Sequence, residues 1–228
     1  MIKRTLLTHL LDWQKSATRK PLIVRGARQV GKTHLLKDFG KKYFKNLVYI
    51  NLESVEHQRL FRKPVSLAEF EQIVDIVLKK PLIDGESLLF LDELQNSPTI
   101  VKLLRFLYEQ RPNLHVVAAG SLLEAKIKQQ GLSLPVGRVQ FAYLYPLDFF
   151  EFLDAKKENQ MLDYLCQHNL QTPVPDALHH QALTLLKEYL MVGGMPELVK
   201  QHINQASISI LKQTYSDIFQ AYLEDINK

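Results

Sequence analysis

Residues 24–36 read VRGARQVGKTHLL. Inside them Gly26 to Thr33, Gly-Ala-Arg-Gln-Val-Gly-Lys-Thr, satisfy the pattern G-x-x-x-x-G-K-[ST]. A short apolar run closed by glycine, PLIVRG (21–26), stands before the loop and predicts a buried strand. THLLKDFGKKY (33–43) follows at helical spacing. Strand, glycine loop and helix in that order suit a backbone wrapped around phosphates. Glycine supplies dihedrals barred to other residues and leaves no Cβ to strike an oxygen. Successive N–H groups then point inward, and the next helix turns its positive end to the same anion. Lys32 would reach the β- and γ-phosphate oxygens, and the Thr33 hydroxyl would ligate Mg²⁺. Gly26, Ala27, Arg28, Gln29, Val30, Gly31, Lys32, Thr33 and His34 are thus the candidate contacts to ATP. A plain glycine-broken turn is the competing reading, and the strand-before, helix-after context weighs against it.

A phosphate loop needs a carboxylate at a neighbouring strand end to hold Mg²⁺ through its water shell. SLLFLDE (87–93) is apolar until it turns abruptly acidic. Asp92 is the candidate magnesium residue at that strand end. Glu93, next in line, is placed to orient and deprotonate an attacking water. By itself the pair would read as a solvated acidic turn; with the loop it reads as a site. Ser121, at the end of the expected fourth strand LHVVAAGS (114–121), is a candidate sensor of the γ-phosphate or an N-cap for LLEAKIK, and the roles are compatible. Arg138 lies at the head of GRVQFAYLYPL (137–147), immediately before the expected fifth strand, where an arginine serves equally as a finger reaching a neighbour's site or as a surface charge.

The chain of 228 residues, 46% hydrophobic and 23% charged, has the composition of a globular protein with one sizeable core. No apolar run reaches the roughly 18 residues of a membrane span, and no cleavable leader is evident at the N-terminus. Cys166 is the only cysteine, so an intramolecular disulfide is excluded. These features point to the cytoplasm. Cys166 falls on an apolar helical face and is expected to be packed. His179 and His180 are adjacent and would diverge on a helix, so no zinc site is expected. Net charge is +5, but residues 1–45 hold twelve Lys or Arg against two Asp. That suits polyphosphate and DNA, although most of these lysines read more simply as solvated helix faces.

Further helices are expected over 2–15, 66–80 and 97–110, with a capping box from Ser66 and Glu69 at the head of the second. NLVYINLE (46–53) is a further strand. From about 148 the pattern is helical throughout: 148–154, 158–168, 176–191, 196–202 and 206–226, with QTPVPDA (171–177) as linker or loop. Strands alternating with helices predict an α/β fold, a P-loop sandwich on a five-stranded parallel sheet, with residues 1–150 as the nucleotide-binding core and 151–228 as a helical lid.

RKPLIVRGARQVGKT, LLFLDELQ, VVAAGS, GRVQFAYLYPLDFFEFL and YLMVGGMPELV resemble, in order and spacing, a large prokaryotic group of AAA-like ATPases of the AAA+ superfamily, related to the signal-transducing ATPases. The resemblance spans roughly residues 2–226. It implies ATP hydrolysis with Mg²⁺, the additional-strand sheet, and the roles given above for Lys32, Thr33, Asp92, Glu93, Ser121 and Arg138. It also implies that GGMPE (193–197) is a lid element whose Pro196 approaches the nucleotide; by residue pattern alone the segment is a helix break. Family members usually continue into a C-terminal nuclease-like output domain, so this chain is expected to be a truncated or single-module version. Homo-oligomers and DNA are the partners the resemblance suggests.

Two function classes compete: an ATPase switch or motor, and a nucleotide-gated adaptor with negligible turnover. A small-molecule kinase is disfavoured by Glu93 following Asp92. Guanine specificity is disfavoured because no N-K-x-D segment occurs.

Overall fold

A computed structural model describes residues 2–121, 123, 129, 131, 133–169 and 171–226. The helix expected over LLEAKIK therefore lies outside the described residues. By their contacts the residues form two compact units: Leu6–Ala27 with Gly31–Leu144, and Met1–Thr5 with Arg28–Val30 and Tyr145–Lys228.

The first unit is built on a five-stranded, all-parallel sheet: β1 (Leu22–Arg25), β2 (Asn46–Asn51), β3 (Ser87–Asp92), β4 (His115–Ala119) and β5 (Gln140–Tyr143), in the order β2-β3-β4-β1-β5. β4 thus intervenes between the strand that leads into the glycine loop and the strand that ends in Asp92. β3 is buried along its whole length because helices cover both faces, which is why it reads as an unbroken apolar run. Ile23, Val48, Ile50, Leu89, Leu91, Val116 and Ala118 face one side. There they pack on α4 (Leu67–Gln72) and α5 (Pro98–Gln110) through Phe70, Val101, Leu104 and Leu107. The alternate residues, among them Leu22, Val24, Leu88, Phe90 and Val117, turn to the other side. That side carries α2 (Lys32–Tyr43), which packs on β2, β3 and β4, with α1 (Leu6–Lys15) beside it.

Several elements depart from the sequence reading, α1 among them, which begins at Leu6 and not at residue 2. The helix opened by the Ser66–Glu69 capping box runs only to Gln72 before widening into a π-helical turn over Ile73–Val77. The wider turn shifts the apolar stripe, so Val74 stays buried while Val77 swings out to solvent. β5 is confined to Gln140–Tyr143, since Gly137 and Arg138 before it are in a turn closed by Arg138 N–H on the Pro135 carbonyl, 3.1 Å. A short helix α3 (Val55–Leu60), unpredicted by the sequence, follows β2.

The second unit is helical: α6 (Phe149–Lys156), α7 (Asn159–Gln167), α8 (Asp176–Val192), α9 (Pro196–Ile203) and α10 (Ile208–Ile226). Its cores are Leu147, Phe152, Val192, Leu198, Val199 and Ile218, and a smaller group of Leu153, Met161 and Leu185. Cys166 is exposed, contrary to expectation. α7 turns Met161, Leu162 and Leu165 inward, and Cys166, one residue past Leu165, lies off that stripe. Among the described residues no helix is long and apolar enough to cross a membrane.

At the centre of this unit Arg4 is buried. Its Nε donates to Glu151 Oε2 at 3.0 Å, Nη1 to the Val30 carbonyl at 2.8 Å, and Nη2 to the Tyr145 carbonyl. Glu151 also accepts from the Thr5 backbone and hydroxyl, at 2.7 and 2.9 Å. Both partners of this ion pair are over nine-tenths buried, so removing one strands the other in a dry site. Glu151→Ala is expected to cost about 3–5 kcal/mol in urea unfolding of the chain. A loss below about 1 kcal/mol would show that the pair is solvated and unimportant.

Candidate functional site

β1 ends at Arg25, and the chain then turns through the glycine loop into α2. Gly31 takes a left-handed conformation, φ 95°, at the helix N-cap with no side chain capping it. A Cβ there would be strained, and the first N–H groups of α2 are left for an anion. Gln29 is left-handed as well, φ 63°. Lys32 opens the helix, is buried, and folds back so that Nζ donates to the carbonyls of Gly26 and Ala27 at 2.8 and 2.7 Å. An ammonium held over the loop in this way lies where phosphate oxygens would be cradled.

Thr33 and Asp92 meet. The Thr33 hydroxyl donates to Asp92 Oδ2 at 2.9 Å, joining the first turn of α2 to the end of β3. Tyr49, from β2, donates its hydroxyl to the same oxygen at 3.1 Å. Register explains this: Tyr49 pairs with Phe90, so its side chain stands on the sheet face that Asp92 shares two residues on. Burial pushes the Asp92 carboxyl above the usual carboxylate range, against the lowering influence of the Thr33 and Tyr49 hydrogen bonds. The Tyr49 hydroxyl is likewise raised, first by burial and then by the Asp92 charge. A buried hydroxyl–carboxylate pair whose negative charge is disfavoured suits a hard divalent cation, and the donor set of Thr33 and Asp92 fits Mg²⁺.

Glu93 follows in a left-handed conformation, φ 52°, rare for a residue with a side chain and costly by about 1–3 kcal/mol. Its carboxylate accepts a short hydrogen bond from Gln95 Nε2. Gln95 is almost wholly buried and lies over Gly120, where a Cβ would stand 2.2 Å from Gln95 Oε1. The carboxylate is thereby held by a rigid amide packed on the chain leaving β4. Sequence reading missed Tyr49 and Gln95. The signal for Gln95 was its place in LDELQ, two residues after Glu93.

Ser121 is buried just past β4, between the strands that carry the loop and the acidic pair. His34 is exposed on α2, its Nδ1 3.4 Å from Asp38. Arg138 precedes β5, and Leu22 pairs with Gln140, so Arg138 stands where the strands begin, at the end of the sheet opposite the glycine loop. Its Nε donates to Glu109 at 2.6 Å. Within its own chain it does not reach the loop. Arg28, Gln29, Val30 and Pro196 belong to the helical unit. There Pro196 opens α9, and Tyr222 of α10 donates to the Arg28 carbonyl at 2.9 Å.

No curated protein is a significant match. Among solved structures, Drosophila ORC bound to DNA is 16% identical, with 86% of this chain and 58% of that chain covered and a TM-score of 0.49. AMPPCP-bound DnaA from Aquifex aeolicus is 16% identical, with 88% and 58% covered and a TM-score of 0.45. PCH-2 of C. elegans is 12% identical, with 86% and 59% covered and a TM-score of 0.48. The chain spans less than two thirds of the length of each of these structures. The model of the AAA domain family matches residues 18–153, from the strand before the glycine loop to the first helix after β5. That match takes in more than half of the 228 residues, and the chain belongs to the AAA domain family of P-loop ATPases.

Proposed function

We propose that the chain binds ATP with Mg²⁺ and hydrolyses it to ADP and phosphate, as a conformational switch or motor for a partner domain. The single observation that carries this reading is the meeting of Thr33 and Asp92 at 2.9 Å beside a left-handed Glu93. It joins the first turn of the helix after the glycine loop to the end of β3. In this reading the loop amides of residues 26–33 and Lys32 bind the phosphates, with His34 at the rim. Thr33 and Asp92 hold Mg²⁺, which when bound neutralises charge on the β- and γ-phosphates. Glu93 takes the proton of the attacking water, and Gln95 fixes the carboxylate for it. Ser121 stands by as a donor to the γ-phosphate.

Arg138 enters the reading in trans, which makes a homo-oligomer part of the proposal. The residues from about 151 act as the lid, Pro196 included, and relay the nucleotide state to an output domain or to DNA. The alternative, a nucleotide-gated adaptor, shares the binding residues and differs in turnover.

Binding is tested first. Lys32→Ala removes charge-assisted hydrogen bonds to phosphate, worth about 1.5–3 kcal/mol, so affinity for a fluorescent ATP analogue should fall about 10- to 150-fold. Unchanged affinity would remove Lys32, and with it the loop, from the site.

A further inference from the structure

A groove of about 720 Å³ opens between α3 and the N-terminal half of α5, in the sheet unit. Phe61 and Leu103 form its buried floor, and Val55 and Phe106 stand on its rim, 63% and 41% exposed. Pro64, Val65 and Pro98 complete the apolar lining. Three basic side chains, Arg59, Arg62 and Lys102, line the same groove, and among the described residues no carboxylate does. Among the described residues no ion pair engages any of the three. Other basic residues of this unit do have acidic partners: Arg111 pairs with Glu71 and Asp84, Arg105 and Arg138 with Glu109, and Lys45 with Glu86. A triple positive charge left unmatched around an apolar floor calls for a ligand with the opposite sign and its own apolar face.

We propose that this groove is a docking site for an acidic amphipathic helix of a partner protein. The helix would set apolar side chains at i and i+4 against Phe61, Leu103 and Phe106, with its carboxylates toward Arg59, Arg62 and Lys102. Nucleic acid fits less well. Stacking of bases needs aromatic faces, and among the described residues the only aromatic ring on the rim is Phe106, the other exposed apolar lining being Val55, Pro64 and Pro98.

The place of the groove gives docking a consequence. α3 follows the end of β2, and the 3₁₀ turn Leu94–Asn96 follows the end of β3, so the groove sits at the loop end of the sheet. Asn96 lines the groove, and its N–H donates to the Glu93 carbonyl at 3.0 Å. A helix seated there touches the turn that sets Glu93. Docking itself is independent of the ATP reading, because it is measured without nucleotide.

The test is fluorescence polarisation with the full chain and a labelled sixteen-residue peptide, Leu and Phe at i, i+4 spacing and Glu elsewhere. The controls are a scrambled peptide without the apolar stripe, a Lys-for-Glu version, and a single-stranded oligonucleotide. The acidic amphipathic peptide should bind at least about tenfold tighter than the scrambled or basic versions, with affinity falling as salt is raised. Arg59→Glu with Arg62→Glu should weaken it at least about tenfold, and Phe106→Ser alone at least about threefold. All three side chains are exposed, and an unchanged thermal melt checks that the variants are folded. Equal affinity for the scrambled peptide, or indifference to the charge reversals, would overturn the proposal. So would tighter binding of the oligonucleotide that the same substitutions abolish, which would make the groove a nucleic-acid site.

Discussion

Glu93→Gln is expected to lower ADP production by about 10²–10⁴-fold. ATP affinity should stay within about threefold of wild type, because the change removes a proton acceptor and no phosphate contact. The glutamine keeps the size of the side chain and one oxygen for the Gln95 amide, so Glu93's left-handed backbone has no reason to relax. Only the basicity goes. Single-turnover ADP formation beside equilibrium ATP binding separates the two effects. Loss of ATP binding in step with turnover would mean that Glu93 holds the site together. Unchanged turnover would leave the carboxylate without a chemical part.

Arg138→Ala is expected to lower turnover by about 10³-fold at chain concentrations where the wild type associates, and to leave dilute, monomeric chains unaffected. The reason is placement. Arg138 stands at the end of the sheet where strands begin, a full strand length from its own glycine loop. It can stabilise charge on a transferred phosphoryl group only in a neighbour's site. The Glu109 carboxylate, which also accepts from Arg105 at 3.0 Å, must give it up on association. Rate per chain measured across concentration checks this. A wild-type rate independent of concentration, or a mutant losing activity equally at every dilution, would put the arginine out of the reaction.

The sheet and the glycine loop were legible in the sequence because both are written in contiguous residues. GARQVGKT carries its spacing within eight positions, and β3 announces itself by an apolar run that stops at a carboxylate. What was not legible depends on register and on distant pairing. Tyr49 reaches Asp92 only because β2 and β3 align it with Phe90, and nothing in NLVYINLE states that register. Arg4 looked like one basic residue among many, yet its partner Glu151 lies 147 positions away. The π turn over Ile73–Val77 defeated a stripe counted at 3.6 residues per turn, since the local period is longer there. Cys166 was misplaced by one residue of helical phase, enough to move a side chain by about 100° from core to solvent.

Steady-state ADP release by the 228-residue chain, with Mg²⁺ and ATP, beside Glu93→Gln and across protein concentration, tests the central claim most directly. Turnover that needs Glu93 and rises per chain with concentration is the expected result. ATP binding without turnover above the Glu93→Gln background, at every concentration, would contradict hydrolysis and leave a nucleotide-gated module.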